Sequence, residues 1–397
     1  MDRSEDGRRL GPGNRSTQNM LETKSNSDLI GRIGDLGFDL LREVSDGGNS
    51  AVCPLSVGMA LAMLIPGARG KTREELARCV GADELRDVAD LLEALPRPTE
   101  VTAAPGETAP YRLTVANAAF THDRFHVEEE FLSELRSILG VEVFPTNFDD
   151  AEGSAERING WVSRSTNGLI PAITDEDAIH DLLRLVLINA VHFKGTWRNE
   201  FEKDATAPAP FHGQSGTVDV PMMALTRYFS YVADPERGVT AIRLPYRNAS
   251  MIIIVPDSGE FGKVADGLDV AAIDGIVASM GAAELAFEMP RFEIAATASL
   301  VGPLQELGLH DVFEGDAADL SGITPHGPGL VVDEVKHAVR IIVDEEGTEA
   351  AAVTSVDVCE LDDGPLPTPF RIDRPFLFTI RDDATGLDLF IGSCVDL

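Results

Sequence analysis

Apolar residues recur at helical spacing from Ser27 to Val44, at Leu29, Ile30, Ile33, Leu36, Leu40, Leu41 and Val44, with Ser27 placed as an N-cap. Pro54 fits the first turn of a second helix running to about Pro66. Lys71 to Cys79 and Glu84 to Leu95 predict two shorter helices, and the Pro/Thr/Glu-rich stretch Pro96 to Pro110 predicts a connection. Tyr111 to Thr121 alternates as a strand does. Glu128 to Leu139 and Asn159 to Ser165 are helical, the second ending near Asn167-Gly168. Leu182 to Phe193 is nearly continuous in apolar residues, the pattern of a central strand buried on both faces. Ala241 to Tyr246 and Ser250 to Val255 pair around Arg247-Asn248-Ala249, and Phe261 to Met280 predicts a helix. Leu330 to Val343 alternates cleanly, with Val335, His337, Val339, Ile341 and Val343 on one face against Lys336, Ala338 and Arg340.

The next stretch, Val343 to Val358, behaves differently. Thr348, Ala350, Ala352, Thr354, Val356 and Val358 are small or apolar and uncharged, whereas the other parity carries Glu349 and Asp357. Successive strand residues point to opposite faces, so the segment suits a sheet with one buried face. It has no dense apolar face of its own, and an acidic, Gly- and Pro-containing stretch, Glu360 to Pro369, follows at once. A segment that suits both loop and strand predicts a switch.

At these residues the chain resembles the serpin family. Glu345-Glu346-Gly347-Thr348-Glu349-Ala350-Ala351-Ala352 is similar to the hinge of an inhibitory serpin's reactive-centre loop. The resemblance extends from about Ser27 to Leu397 through Asn49 to Gly70 (NSAVCPLSVGMALAMLIPGARG), Leu187 to Phe201 (LINAVHFKGTWRNEF), Val220-Pro221-Met222-Met223, Asp319-Leu320-Ser321-Gly322 and Leu389-Phe390-Ile391-Gly392. It implies an α+β fold with three β-sheets, about nine helices and an exposed reactive-centre loop over 346–371, in one domain spanning 27–397 after a disordered polar tail over 1–26.

The resemblance also implies a mechanism. A serine protease attacks the loop and forms an acyl-enzyme, and the cleaved hinge then inserts as a new strand and distorts the attached protease. Gly347 would supply the pivot, Thr348 would enter the sheet first, and Ala350 to Ala352 are small enough to slide between strands. By position, the reactive bond falls at Leu361-Asp362, with cleavage after Cys359, before Glu360, or after Val358 as alternatives. Leucine there would suit a chymotrypsin-like or subtilisin-like protease. His337, Asn189 and Ser56 match residues that hydrogen-bond beneath the sheet where it parts, with Cys53 replacing a serine. Trp197, Glu345 and Arg291 match the place where the loop first inserts, with a Glu345–Arg291 ion pair expected. Other readings are a non-inhibitory serpin with a binding, chaperone or signalling role, and a cysteine protease inhibitor. The small residues at Thr348, Ala350 and Ala352 oppose the first of these.

Composition narrows the setting. The net charge is −33, and six of the 33 Lys and Arg residues are lysines. Such a surface suits molar salt, where screening removes self-repulsion, or belongs to an acidic protein of a high-GC genome. Neither nucleic acid nor an anionic membrane is an expected partner, and no apolar run is long enough to span a bilayer. Arg8-Arg9 is not followed by an apolar stretch, so a cytoplasmic location is expected. The four cysteines lack metal-ligand spacing, so no metal and no cofactor are expected. Short sequons stand at Asn14 and Asn248. The chain has no G-x-S-x-G elbow, P-loop, HExxH or dinucleotide fingerprint, so no enzyme is expected, and the resemblance implies a monomer.

Overall fold

The computed structural model describes residues 13–95, 111–180, 182–324, 330–348 and 366–397, with side chains from Asn26 onward. The strands in chain order are β1 (Ser50–Val52), β2 (Arg112–His122), β3 (Glu142–Thr146), β4 (Leu185–Thr196), β5 (Ala207–His212), β6 (Thr217–Asp234), β7 (Val239–Pro245), β8 (Ala249–Pro256), β9 (Gly281–Pro290), β10 (Phe292–Ser299), β11 (Lys336–Val343), β12 (Gly347–Thr348), β13 (Thr368–Arg371), β14 (Phe376–Asp382) and β15 (Asp388–Cys394). The helices are α1 (Gly13–Val44), α2 (Pro54–Ala62), α3 (Gly70–Val80), α4 (Leu85–Ala94), α5 (Glu129–Leu139), α6 (Ala151–Ser165), α7 (Phe261–Gly267), α8 (Val270–Ser279) and α9 (Val301–Glu306).

The strands form two hydrogen-bonded networks. One is six-stranded, in the order β10-β11-β12-β4-β2-β3. The other runs β1-β15-β14-β8-β7-β6-β9-β13 with β5 added on β6. Two of the three sheets implied by the resemblance are continuous here because the 18-residue β6 pairs with β5 over 217–222, with β9 over 222–231 and with β7 over 230–234.

Both faces of the six-stranded sheet are covered. On β4, Ile188 and Ala190 join Phe120, Ile158, Trp161 and Val162 beneath α6, while Phe193 joins the larger core that includes α2. This alternation accounts for the nearly unbroken apolar run in the sequence, since each parity meets a different helix. The expectation of full burial fails at the start of the run: Leu182 is 70% exposed and precedes the strand, and Leu185 to Leu187 are half-buried. Their edge faces an opening in the sheet.

Several element boundaries differ from the sequence reading. α1 begins at Gly13, so residues 13–26, expected as tail, are helical backbone and Ser27 lies inside the helix. No proline stands between Pro12 and Pro54 to interrupt it. α6 starts two turns before Asn159, where Asp150 accepts a hydrogen bond from the Gly153 N–H at 3.1 Å. The single helix expected over Phe261 to Met280 is two, because Asp269 caps α8 by accepting from the Ala272 N–H at 2.6 Å. β11 begins only at Lys336, but its buried face holds His337, Val339, Ile341 and Val343 as expected. The β7–β8 hairpin forms as expected, with Asn248 in the left-handed region at φ 70°.

The ends of the expected loop also belong to sheets. Gly347 and Thr348 form β12, and Thr368 to Arg371 form β13, which runs parallel to β9.

Candidate functional site

Among the described residues no ladder joins β4 directly to β11. Two residues of β12 stand between them, Thr348 opposite Val343 of β11 and Gly195 of β4, and Gly347 opposite Thr196. Beyond this short bridge lies a cavity of about 510 Å³, lined by β4, the start of β11 and α2. Among the described residues the central sheet is therefore parted along one seam, with Gly347 and Thr348 seated at one end of it.

The seated end is closely held. Asp344 accepts hydrogen bonds through Oδ1 from the backbone N–H groups of Glu346 (2.9 Å) and Gly347 (3.2 Å), and its own N–H donates to Gly347 O at 3.0 Å. Trp197 donates its backbone N–H to Glu346 O and its indole Nε1–H to Asp344 O, both at 2.9 Å. The Phe201 N–H donates to Glu345 O at 2.9 Å. Gly347 has φ +145°, and a Cβ there would lie 2.1 Å from Gly195 O. The position thus requires glycine for its positive φ and for close backbone approach.

Glu345 is buried, and its Oε1 accepts from Arg291 Nε at 2.7 Å and from the Thr206 hydroxyl at 2.5 Å. Burial by itself would raise its pKa, but the hydrogen bonds from Arg291 and Thr206 outweigh it and hold the carboxyl below the ordinary glutamate range. Glu346 pairs with Lys203. Burial, followed by the nearby Glu346 charge, pushes Glu200 above the ordinary range.

The expected cluster beneath the sheet is arranged differently. Ser56, Asn189 and His337 all line the cavity, but among the described residues no hydrogen bond joins the three. His337 Nε2 accepts from the Cys53 backbone N–H at 3.0 Å, so the cysteine that replaces a serine contributes through its main chain. Asn189 Nδ2 donates to Asn117 Oδ1 at 2.7 Å, and Asn189 Oδ1 is buried without a partner. With the seam open, β4 and β11 hold these side chains on opposite walls. Complete burial lowers the His337 pKa to about 4, so the imidazole is neutral.

The structure thus brings together Trp197, Arg291 and Glu345 to Thr348 at one end of the seam, and places Ser56, Asn189 and His337 along it. Glu349, Ala350, Ala351 and Ala352, together with Cys359, Glu360, Leu361 and Asp362, lie outside the described residues. The sequence reading gave no site role to Tyr246, Thr206, Lys203, Asp344 or Asn117. Asp344 sits beside the hinge and could have been found there; the others are distant in sequence and carry no local pattern.

Fold and site together define a protein whose central sheet, among the described residues, is parted along one seam and holds Gly347 and Thr348 at one end of it. The serpin (serine protease inhibitor) family model matches residues 32–397, and the chain belongs to the serpin family. It is 33% identical over 386 residues to an uncharacterised serpin-like protein of Thermococcus kodakarensis, covering 94% of this chain and 87% of the relative. It is 31% identical over 366 residues to the leukocyte elastase inhibitor of Equus caballus, covering 89% and 95%. Among solved structures it is similar to the thermophilic serpin tengpin in its native state (TM-score 0.80, 28% identity, 93% and 94% covered). It is also similar to human thyroxine-binding globulin in complex with thyroxine (TM-score 0.84, 25% identity, 94% and 99% covered). The family is one of protease inhibitors. No helix among the described residues is long and apolar enough to cross a membrane.

Proposed function

We propose that the chain inhibits a serine protease as a suicide substrate. The observation that carries this reading is β12: Gly347 and Thr348 are paired between β4 and β11, with a cavity beyond them. The protease serine attacks the carbonyl of Leu361, the Asp362 amine leaves, and an ester joins Leu361 to the enzyme. Continued insertion behind Thr348 carries this ester away before water reaches it. A displacement of about 1 Å in an active site already costs on the order of a hundredfold in rate, so distortion of the captured enzyme is enough to preserve the ester. Cleavage after Cys359 would leave the same chemistry with a shorter inserted strand.

A leucine at the reactive bond favours a chymotrypsin-like or subtilisin-like target, met by a monomeric inhibitor. The charge of −33 fits work at high salt, where self-repulsion is screened. The test is incubation with chymotrypsin, subtilisin and elastase, followed by denaturing electrophoresis and N-terminal sequencing of the released C-terminal fragment. An SDS-stable complex with release of a fragment beginning at Asp362 is the expected result. Cleavage by all three enzymes without a stable complex would sink the inhibitory reading and favour a non-inhibitory role. A complex with a papain-like enzyme alone would transfer the reading to cysteine proteases.

A further inference from the structure

Tyr246 lies outside every motif that carried the family resemblance, yet it touches the hinge directly. It opens the turn of the β7–β8 hairpin, where its N–H donates to Ala249 O at 2.9 Å, and it forms an isolated bridge with Trp197. Its ring stacks on Trp197 with centroids 4.3 Å apart and planes 11° apart, and meets Phe193 edge-on at 5.4 Å. The whole side chain is buried, and its hydroxyl lies 2.7 Å from the Thr348 hydroxyl, itself on a buried residue.

These contacts fix the ring from two sides and aim its one polar atom at Thr348, the second residue of β12. If Thr348 leaves the sheet, the Tyr246 hydroxyl is stranded among aromatic rings. A buried polar group that loses its partner opposes the change that strands it. We propose that Tyr246 is a positioning residue that seats Thr348 between β4 and β11 before cleavage and so sets how promptly the rest of the hinge follows. The kinetic half of this proposal rests on the inhibitor reading, whereas the seating half does not.

The two halves are tested separately. In the uncleaved protein, Tyr246→Phe keeps the stacked ring and removes only the hydroxyl. Amide exchange over residues 345–348 is expected to quicken about five- to tenfold, the scale of one lost hydrogen bond, with exchange in β14 and Trp197 fluorescence unchanged. Thr348→Val strands the hydroxyl, and the double variant removes both partners. The double variant is expected to exchange no faster than Thr348→Val alone. Unchanged hinge exchange in Tyr246→Phe, a uniform rise across the protein, or additive effects in the double variant would each overturn the seating role. With a protease that forms the SDS-stable complex, Tyr246→Phe is expected to raise severalfold the inhibitor consumed per enzyme captured. An unaltered ratio alongside altered exchange would overturn the kinetic half. Failure of the wild-type protein to form any complex would strike the inhibitor reading and leave the exchange result to decide the seating role.

Discussion

Glu345 is buried with 2% of its side chain exposed, while its partner Arg291 is 44% exposed. The pair joins the hinge to the residue between β9 and β10, so the carboxylate is desolvated and the guanidinium keeps much of its water. Replacing Arg291 with Met leaves Glu345 buried without its cation. The expected loss is about 2 kcal/mol, below the roughly 3–5 kcal/mol of a wholly buried pair, because Arg291 is part-solvated and Thr206 still donates. Urea unfolding at neutral pH measures it. Glu345 has a depressed folded pKa, so its contribution is present above the ordinary glutamate value and is lost as pH falls through the folded value. The difference between wild type and Arg291→Met is therefore expected to shrink in acid. A difference that stays constant down to the acid range would contradict the assignment.

His337 makes a second contribution in acid. Its folded pKa of about 4 lies below the ordinary histidine value of about 6.5. Between these values the unfolded chain binds a proton that the folded one does not, so stability falls as pH drops through this window and levels off below it. The total is on the order of 3 kcal/mol. A Gln at 337 keeps a polar side chain but cannot titrate, and its stability curve is expected to lack this slope. Parallel curves for the two proteins from pH 7 to pH 4 would contradict it.

Gly347→Ala places a methyl group 2.1 Å from Gly195 O at a backbone φ of +145°. Holding alanine in that conformation costs about 1–3 kcal/mol before any clash is counted. The seated hinge is expected to loosen and the captured fraction of protease to fall, with the folded core intact by far-UV circular dichroism. Capture equal to wild type would show that β12 does not matter to insertion.

Thr348→Arg sets a charge where the side chain is 4% exposed. An unpaired charge that deep costs several kcal/mol, so the strand would stall at its first step. The variant is expected to be cleaved at the wild-type rate without forming the SDS-stable complex. Loop cleavage is expected to raise the melting temperature of the wild type and to leave that of the variant unchanged. Retention of both would mean that insertion does not begin at Thr348.

The charge of −33 makes stability depend on salt. Self-repulsion across the surface is screened within about 10 Å at 0.1 M and about 3 Å at 1 M. The melting temperature is expected to climb with potassium chloride into the molar range. A flat profile would favour mere compositional acidity.

The periodicities in the sequence located most elements because each depends only on neighbours along the chain. The alternation ending at Val343 predicted β11 and its buried face, and the small residues at Gly347 and Thr348 fitted the seat they occupy. Periodicity failed where a local cap overrode it, as at Asp269, and where an apolar residue fell outside the strand its run suggested, as at Leu182. The Glu345–Arg291 pair came through family resemblance, its members standing 54 positions apart.

Taken alone, the sequence determined which segments could be strand or helix, and that alternate residues from Thr348 to Val358 are small or apolar and uncharged. Tertiary structure alone decided that β4 and β11 stand apart with two hinge residues between them, that Cys53 serves His337 through its backbone, and that Tyr246, 102 residues away, meets Thr348. Those relationships arise from packing between distant segments, where side-chain size and hydrogen-bond geometry select partners that no local repeat encodes.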